Sequence, residues 1–311
     1  MPAFLSNKPT RKNRDMQERD KLIADIMRQV QSEESSGTDA EREKLVSGIV
    51  RRLHEKQFSL PTLPDVALDV KHIAQDPDSS AADLAKAIAR DPAISAHLVQ
   101  VANSPLYRGQ HELENLSEII ARLGMKVVTN LVVSLAMRQV FHSPSRVLNQ
   151  HLHHLWEFAT QVASLSHIQA RKIRGLDSEQ ALLAGLIHNI GALPIISVAS
   201  DFPDLVGDPE LLDSVIQELQ PQISEEILTA WHFPEELIEA AAQASNPARS
   251  HDGPADYGDV VVVSVLQAKI SDGDADASAL DDVPAAKKLG IDTAESIVDD
   301  ELDEIRRSLM G

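Results

Sequence analysis

Residues 182–194, Leu-Leu-Ala-Gly-Leu-Ile-His-Asn-Ile-Gly-Ala-Leu-Pro, constrain this chain more than any other stretch. They are apolar on nearly every side, and a helix that is apolar all round has to be buried. One polar pair, His188-Asn189, stands at the centre. A buried polar pair must find hydrogen-bond partners or perform chemistry. Gly191 follows, a residue that permits a sharp turn or close backbone approach.

The rest of the chain must bury this stretch, and its means are limited. Aromatic residues are 3% of the 311. The core is therefore built from Leu, Ile, Val and Ala, which favours closely packed helices. There is no cysteine, so disulfides, thiolate metal sites and thiol nucleophiles are excluded. No apolar run is expected to reach the ~18–20 residues of a membrane helix. The N-terminal segment lacks the apolar core of a signal peptide. A soluble, cytoplasmic protein is expected.

The net charge is −19 and unevenly spread. Residues 1–60 carry 12 Lys/Arg against 10 Asp/Glu, and the remainder 17 against 38. Nucleic-acid binding draws on neutralised phosphates, so the acidic part argues against that function. Only Lys8, Arg11, Lys12, Arg14 and Arg19 offer a short basic arm.

Helical spacing of apolar residues predicts helices over about 15–31 and 39–55, joined by a polar linker. Leu60-Pro61-Thr62-Leu63-Pro64 is a rigid entry, with Pro64 as the first residue of a helix. Ser80 caps the next helix, with Asp83 in its first turn, and Asp91-Pro92 caps the one after. Asn103-Ser104-Pro105 stops that helix. Residues 106–114 read as a polar loop, Ser117 opens a short helix, and Gly124 ends it. Further helices are expected over 125–141, 148–172, 182–194, 209–219, 222–231 and 234–245. Residues 246–258 read as loop. Val260–Ile270 has strand propensity but nothing to pair with, so a buried helix is expected. Residues 271–283 read as an acidic linker, and a helix broken at Leu289-Gly290 ends the chain.

Four motifs in order, Leu60-Pro61-x-Leu63-Pro64, Asp91-Pro92-Ala93-Ile94, Ala102-Asn103-Ser104 and Ile120-x-x-Leu123-Gly124, resemble the HDOD domain family. Leu155-Trp156, Ala184–Gly191 and Trp231-x-Phe233-Pro234 continue the resemblance to about residue 250. It implies an all-α, multi-helix domain related to HD-type metal-dependent phosphohydrolases but lacking their full ligand set. HDOD proteins are described as bacterial signalling and regulatory modules. The expected organisation is an N-terminal helical extension (1–57), the HDOD domain (58–271), and an acidic linker with a C-terminal helix (272–311).

An HD-type site uses His and Asp ligands to bind one or two divalent metals, which activate water. By the resemblance, the ligand on the long helix falls at Phe158 and the central pair at His188-Asn189. A later His pair falls near Ala244-Ser245, and the last Asp near Ala268-Lys269. Carboxamide is a much poorer ligand than carboxylate. The expectation is a degenerate site with vestigial positions Phe158, His188, Asn189 and Lys269. His188 then reads as a core histidine satisfied by backbone or by Asn189.

Other candidates are weaker. His151-x-His153-His154, with His142 or His167, could bind zinc, but no carboxylate or thiol is read at ligand spacing. The Asp272–Asp276 run lacks the closing Glu of a calcium loop. No cofactor is expected. The reading is a non-catalytic regulatory module that binds a protein partner, with neither nucleic acid nor membrane as a target. The flanking helices are expected to dock in cis or to make a homodimer. The alternatives are a metal-dependent phosphohydrolase of nucleotides or cyclic dinucleotides, and a non-hydrolysing sensor of such a ligand.

Overall fold

The computed structural model describes residues 46–48, 50–51, 61–142, 146–199, 209–291 and 299–310. The helix expected over 15–31, the linker after it and most of the helix over 39–55 lie outside these residues. Every regular element described is helical, and there is no strand among the described residues. The chain divides into two compact units, one of residues 1–60 with 194–219, the other of 61–193 with 220–311.

In the larger unit, α1 (Asp65–Gln75), α2 (Ala81–Ile88) and α3 (Pro92–Ala102) follow one another on the capping signals in the sequence. Ser80 and Asp83 form a reciprocal capping box. Asp91 accepts from the backbone of Ala93 and Ile94, with Pro92 at the first helical position. Pro64 stands one residue outside α1, so it is a cap and not the first helical residue. Asn103 clamps the following loop through two hydrogen bonds of 2.8 Å to the backbone of Leu113. Arg122 adds bonds to the carbonyls of Ala102, Tyr107 and His111. The Ala102-Asn103-Ser104 motif is thus a loop anchor.

Helix α4 (Leu116–Leu123) is capped by Asn115, two residues before the expected Ser117. Gly124 has φ +85°, a left-handed value that favours glycine. There the chain bends by 119° into α5 (Met125–Val140). The long α6 (Arg146–Ala170) and α7 (Ser178–Ile187) come next. Asp177 caps α7 through the backbone of Glu179 and Gln180.

The 182–194 stretch is not one helix. Helix α7 ends at Ile187, a turn spans 188–191, and α8 (Ala192–Ala199) restarts. The break is held by tertiary bonds: Gly191 N–H to Ser224 Oγ (3.0 Å) and the Gln220 amide to His188 O (3.3 Å). Ser178–Ala199 is long and apolar enough in composition to span a membrane, contrary to the expectation that no run would be. Yet 94% of its most apolar window is buried inside protein, as a core helix would be.

Helix α9 (Pro209–Ala230) runs continuously through Pro221, where the sequence suggested two helices. It ends in a reverse turn. Phe233 N–H bonds to Leu228 O, and His232 N–H to Thr229 O, a Schellman pattern with His232 at φ +54° where glycine is usual. This turn carries the Trp231-x-Phe233 motif. Trp231 Nε1 donates to Pro61 O (2.9 Å) and Lys71 Nζ to Trp231 O (2.9 Å). Lys71 also lies 3.5 Å above the Phe233 ring. Two motifs 170 residues apart are thereby joined.

Helices α10 (Glu235–Gln243) and α11 (Tyr257–Asp272) complete the core. Val260–Ile270 is helical, as expected for a chain without strands. Within the expected linker, Ala277–Leu280 forms a 3-10 turn, and Leu280 and Val283 pack on Val262 and Val263. Helices α12 (Pro284–Leu289) and α13 (Asp299–Met310) follow, separated at Gly290 (φ +67°).

Helix α7 is the centre of this unit. It packs on α5, α6, α10 and α11. A Cβ at Gly185 would lie 2.6 Å from Ala163 Cα, so α6 and α7 meet backbone to backbone. The small stripe on α6, with Ala159, Ala163 and Ala170 fully buried, makes that approach possible.

Candidate functional site

The break after α7 places His188 and Asn189 inside the core, 3% and 2% exposed. His188 Nδ1 lies 2.6 Å from Gly185 O. A carbonyl only accepts, so Nδ1 carries the proton and Nε2 the lone pair. Burial holds the imidazole down to about 4, against the Gly185 bond, and the Lys269 ammonium adds to the depression. His188 is therefore neutral at pH 7. The Phe158 ring stands 5.8 Å from the imidazole, centroid to centroid, tilted by 56°. Asn189 donates to Leu155 O on α6 (3.0 Å), while its Oδ1 is buried with no hydrogen-bond partner.

The four positions singled out in the sequence thus share one neighbourhood. Phe158 touches His188, Asn189 adjoins it, and Lys269 acts on it through its field. Phe158 and Lys269 are only partly buried, so Phe158 flanks the histidine and is not a fully buried core residue.

A second polar cluster lies at the other end of α7. Tyr107, from the loop after α3, donates to Glu179 Oε2. Glu179 Oε1 lies 3.7 Å from His167 Nδ1, too far for a hydrogen bond, and that nitrogen has no partner. The geometry resembles an ion pair, but the burial of both groups argues otherwise. Burial pushes Glu179 up to about 7 and holds His167 down to about 4. Near neutrality the imidazole is uncharged and the carboxyl holds much of its proton.

These shifts give a pH dependence. An unfolded histidine titrates near 6.5. Between pH 6.5 and about 4 the unfolded chain holds a proton on His188 that the folded chain does not. Stability therefore falls as pH falls through that window, by up to about 3 kcal/mol. His167 behaves the same way. Glu179 has the opposite sign, because the folded chain keeps a proton that the unfolded one loses above about 4.5. Glu179 and His167 roughly offset each other, and half-buried His97, also depressed by burial, adds a smaller slope. Unfolding at pH 5.5 is expected to take up about one proton. Urea denaturation at pH 5 and 6 measures it, and His188→Gln should remove most of the slope. An unchanged slope in that variant would contradict a neutral, buried His188.

A third cluster was missed in the sequence. Arg249, 7% exposed, binds Asp259 (2.7 Å), Asp256 (2.7 Å) and Glu239 (2.8 Å). Asp259 is fully buried and also meets His251 Nε2 (2.9 Å) and Lys288 Nζ (3.5 Å). Donor atoms of His251, Asp256 and Asp259 lie within 4.8 Å of one another. Arg249 and Lys288 already share the same oxygens, so a divalent ion would have to displace them. The signal that could have found the cluster is Asp256-x-x-Asp259 before the valine run, a reciprocal capping box for α11.

The other sequence candidates separate. His153 Nε2 and His154 Nδ1 each lie 3.5 Å from a Glu157 oxygen. The sequence reading that no carboxylate stands near them is corrected, since Glu157 is one helical turn away. His167 is buried beside Glu179 while His142 is exposed. No metal-ligand group forms around His151–His154 among the described residues. A cleft of about 740 Å³ opens by α1, α2 and the start of α3, with Asp65, Asp69, Arg90 and Asp91 in its wall, but none of the His188 neighbourhood lines it.

The structural neighbours of this chain are likewise all-helical folds of the HD and HDOD kind. The family model described as HDOD domain matches residues 60–247, more than half of the chain, and the chain belongs to that family. A Shewanella amazonensis SB2B protein, provisionally named a metal-dependent phosphohydrolase, has a similar structure. Its TM-score is 0.72 at 28% identity, covering 87% of this chain and 99% of that one. An HDOD domain protein of unknown function from Geobacter sulfurreducens shares the fold, with TM-score 0.59 at 16% identity over 84% of this chain and 96% of that one. So does a provisionally named signal transduction protein from Marinobacter aquaeolei VT8, with TM-score 0.55 at 20% identity over 95% and 65%. An uncharacterized protein of Treponema pallidum (strain Nichols) is 24% identical over 212 residues, which is 63% of this chain and 38% of that protein. The chain spans well under half the length of that curated relative.

Proposed function

We propose that this protein is a regulatory signalling module that acts by binding other proteins and catalyses no reaction of its own. One observation carries the reading: the ring of Phe158 stands against His188 where the family resemblance expects a second imidazole. A catalytic metal needs several imidazole and carboxylate donors. Here the candidates are one neutral imidazole, a carboxamide bonded to Leu155 O, a benzene ring and an ammonium group. These residues do not fit a divalent metal, and Lys269 would repel one. The acidic surface speaks for protein partners over nucleic acid, and nothing in the charge pattern favours a membrane.

A second reading is favoured by the provisional name of the Shewanella neighbour: a metal-dependent phosphohydrolase of nucleotides or cyclic dinucleotides, or a sensor that holds such a ligand near Lys269 without turnover. The two readings differ in what restores metal binding. Asn189→Asp alone is expected to leave Mn²⁺ binding undetectable by calorimetry, because Phe158 and Lys269 still occupy ligand positions. Tight binding by that single variant would refute this placement of the ligands.

A further inference from the structure

Helix α13 is seated on α3 and α6, but its hold is incomplete. Among its described side chains, Ile305 and Leu309 alone are fully buried. The ends are fixed by polar contacts. His97 Nε2 lies 2.9 Å from Ser308 O, Arg138 donates to Met310 O, and Arg171 pairs with Glu301. The Arg171 and Glu301 side chains are substantially exposed, and exposed pairs contribute little. Along the edge facing α3 the helix leaves a cavity of about 230 Å³ lined by His97, Gln100, Ser104, Glu304 and Arg307. Two polar atoms, Ser104 Oγ and Glu304 Oε1, are buried with no hydrogen-bond partner. Neither atom finds a protein partner across that cavity, so the contact between α13 and α3 is incompletely packed.

The seat itself has a direction. Arg138 meets the Met310 carbonyl at the C-terminal end of the helix, where a cation complements the helix dipole, and Arg171 meets an acid in the first turn. These cationic ends stand out on a chain of net charge −19. We propose that α13 is a displaceable occupant, and that the seat receives an amphipathic helix of a partner protein. That helix would carry two aliphatic residues four apart, as Ile305 and Leu309 are, an acid one turn earlier, and an uncovered C-terminal turn.

This inference deepens the reading of the domain as an interaction module and rests on it. Its test uses the full chain. Amide hydrogen exchange on the wild type is expected to show α13 opening separately, with protection at least 100-fold below that of α6 and α7. A labelled peptide of residues 299–311 is then titrated by fluorescence anisotropy. The Leu309→Asp chain, with its own helix undocked, should bind it at least tenfold more tightly than the wild type, and a peptide carrying Glu301→Arg should lose that gain. Exchange of α13 only through global unfolding would overturn the proposal, as would an undocked chain that ignores the peptide. Dimerisation of the wild type by trading α13 between copies would replace the partner with a second copy and overturn the assignment. Neither readout depends on metal content or turnover, by which the reading of the domain itself stands or falls.

Discussion

Replacing Arg249 with alanine is expected to destabilise the protein by about 3–5 kcal/mol, the range for removing one member of a buried charge pair. The guanidinium is the main counter-charge of Asp259, whose side chain is 1% exposed. Without it that carboxylate keeps His251 and the more distant Lys288 Nζ at 3.5 Å, and Asp256 and Glu239 lose their shared partner. The network also ties α12 to α11, because Lys288 donates to His251 O (2.9 Å) as well. Gly258 belongs to the same design, since a Cβ there would lie 2.8 Å from the Arg249 guanidinium carbon. Urea denaturation followed by circular dichroism measures the loss. A change below about 1 kcal/mol, the range of surface pairs, would show that the cluster is solvated and that Asp259 is not buried as described.

The second large effect is expected from Gly185→Ala and Gly191→Ala. Within a helix, glycine to alanine ordinarily gains about 1 kcal/mol. Here both positions face backbone. A Cβ at Gly185 would sit 2.6 Å from Ala163 Cα, and one at Gly191 would sit 2.3 Å from Gln220 O and 2.7 Å from Ser224 N. Main-chain atoms cannot swing aside as a side-chain end can, so α6 or α9 must move. Overpacking typically costs about 1–3 kcal/mol, and Gly191→Ala should fall at the upper end or fail to fold. Thermal unfolding of both variants checks this. A gain in stability at Gly185 would mean that α6 and α7 do not approach as closely as described.

Much of the fold was legible because its signals are local. Ser80 with Asp83 and Asp91 with Pro92 act within four residues of themselves, and both cap as their spacing implied. Tertiary signals were harder to read. Gly191 permits a turn between 182 and 194, but its presence does not fix a break at His188, because the turn is closed from α9 by Gln220 and Ser224. The cap of α4 was misplaced by two residues because Asn115 and Ser117 are both good caps, and only the Asn115–Glu118 bond decides between them. The Arg249 cluster was hidden in what read as loop, since its partners come from α10, α11 and α12.

The candidate site divides in the same way. Motif order was enough to bring Phe158, His188, Asn189 and Lys269 into one neighbourhood. Periodicity could not show that Phe158 stays partly exposed, or that His188 turns its protonated nitrogen to Gly185 O. Those details decide what the imidazole is able to do. Its Nδ1 proton is committed to the backbone, and among the described residues no group of three or more His, Cys, Asp or Glu donors forms around its remaining lone pair.

The central claim is that this domain has no metal-dependent activity. Elemental analysis of the purified full chain, together with a phosphodiesterase assay in Mn²⁺, tests it most directly. The account predicts substoichiometric Mn and Fe, and no turnover above a protein-free blank. One equivalent of Mn or Fe per chain, or turnover that His188→Ala abolishes while the fold persists, would contradict it.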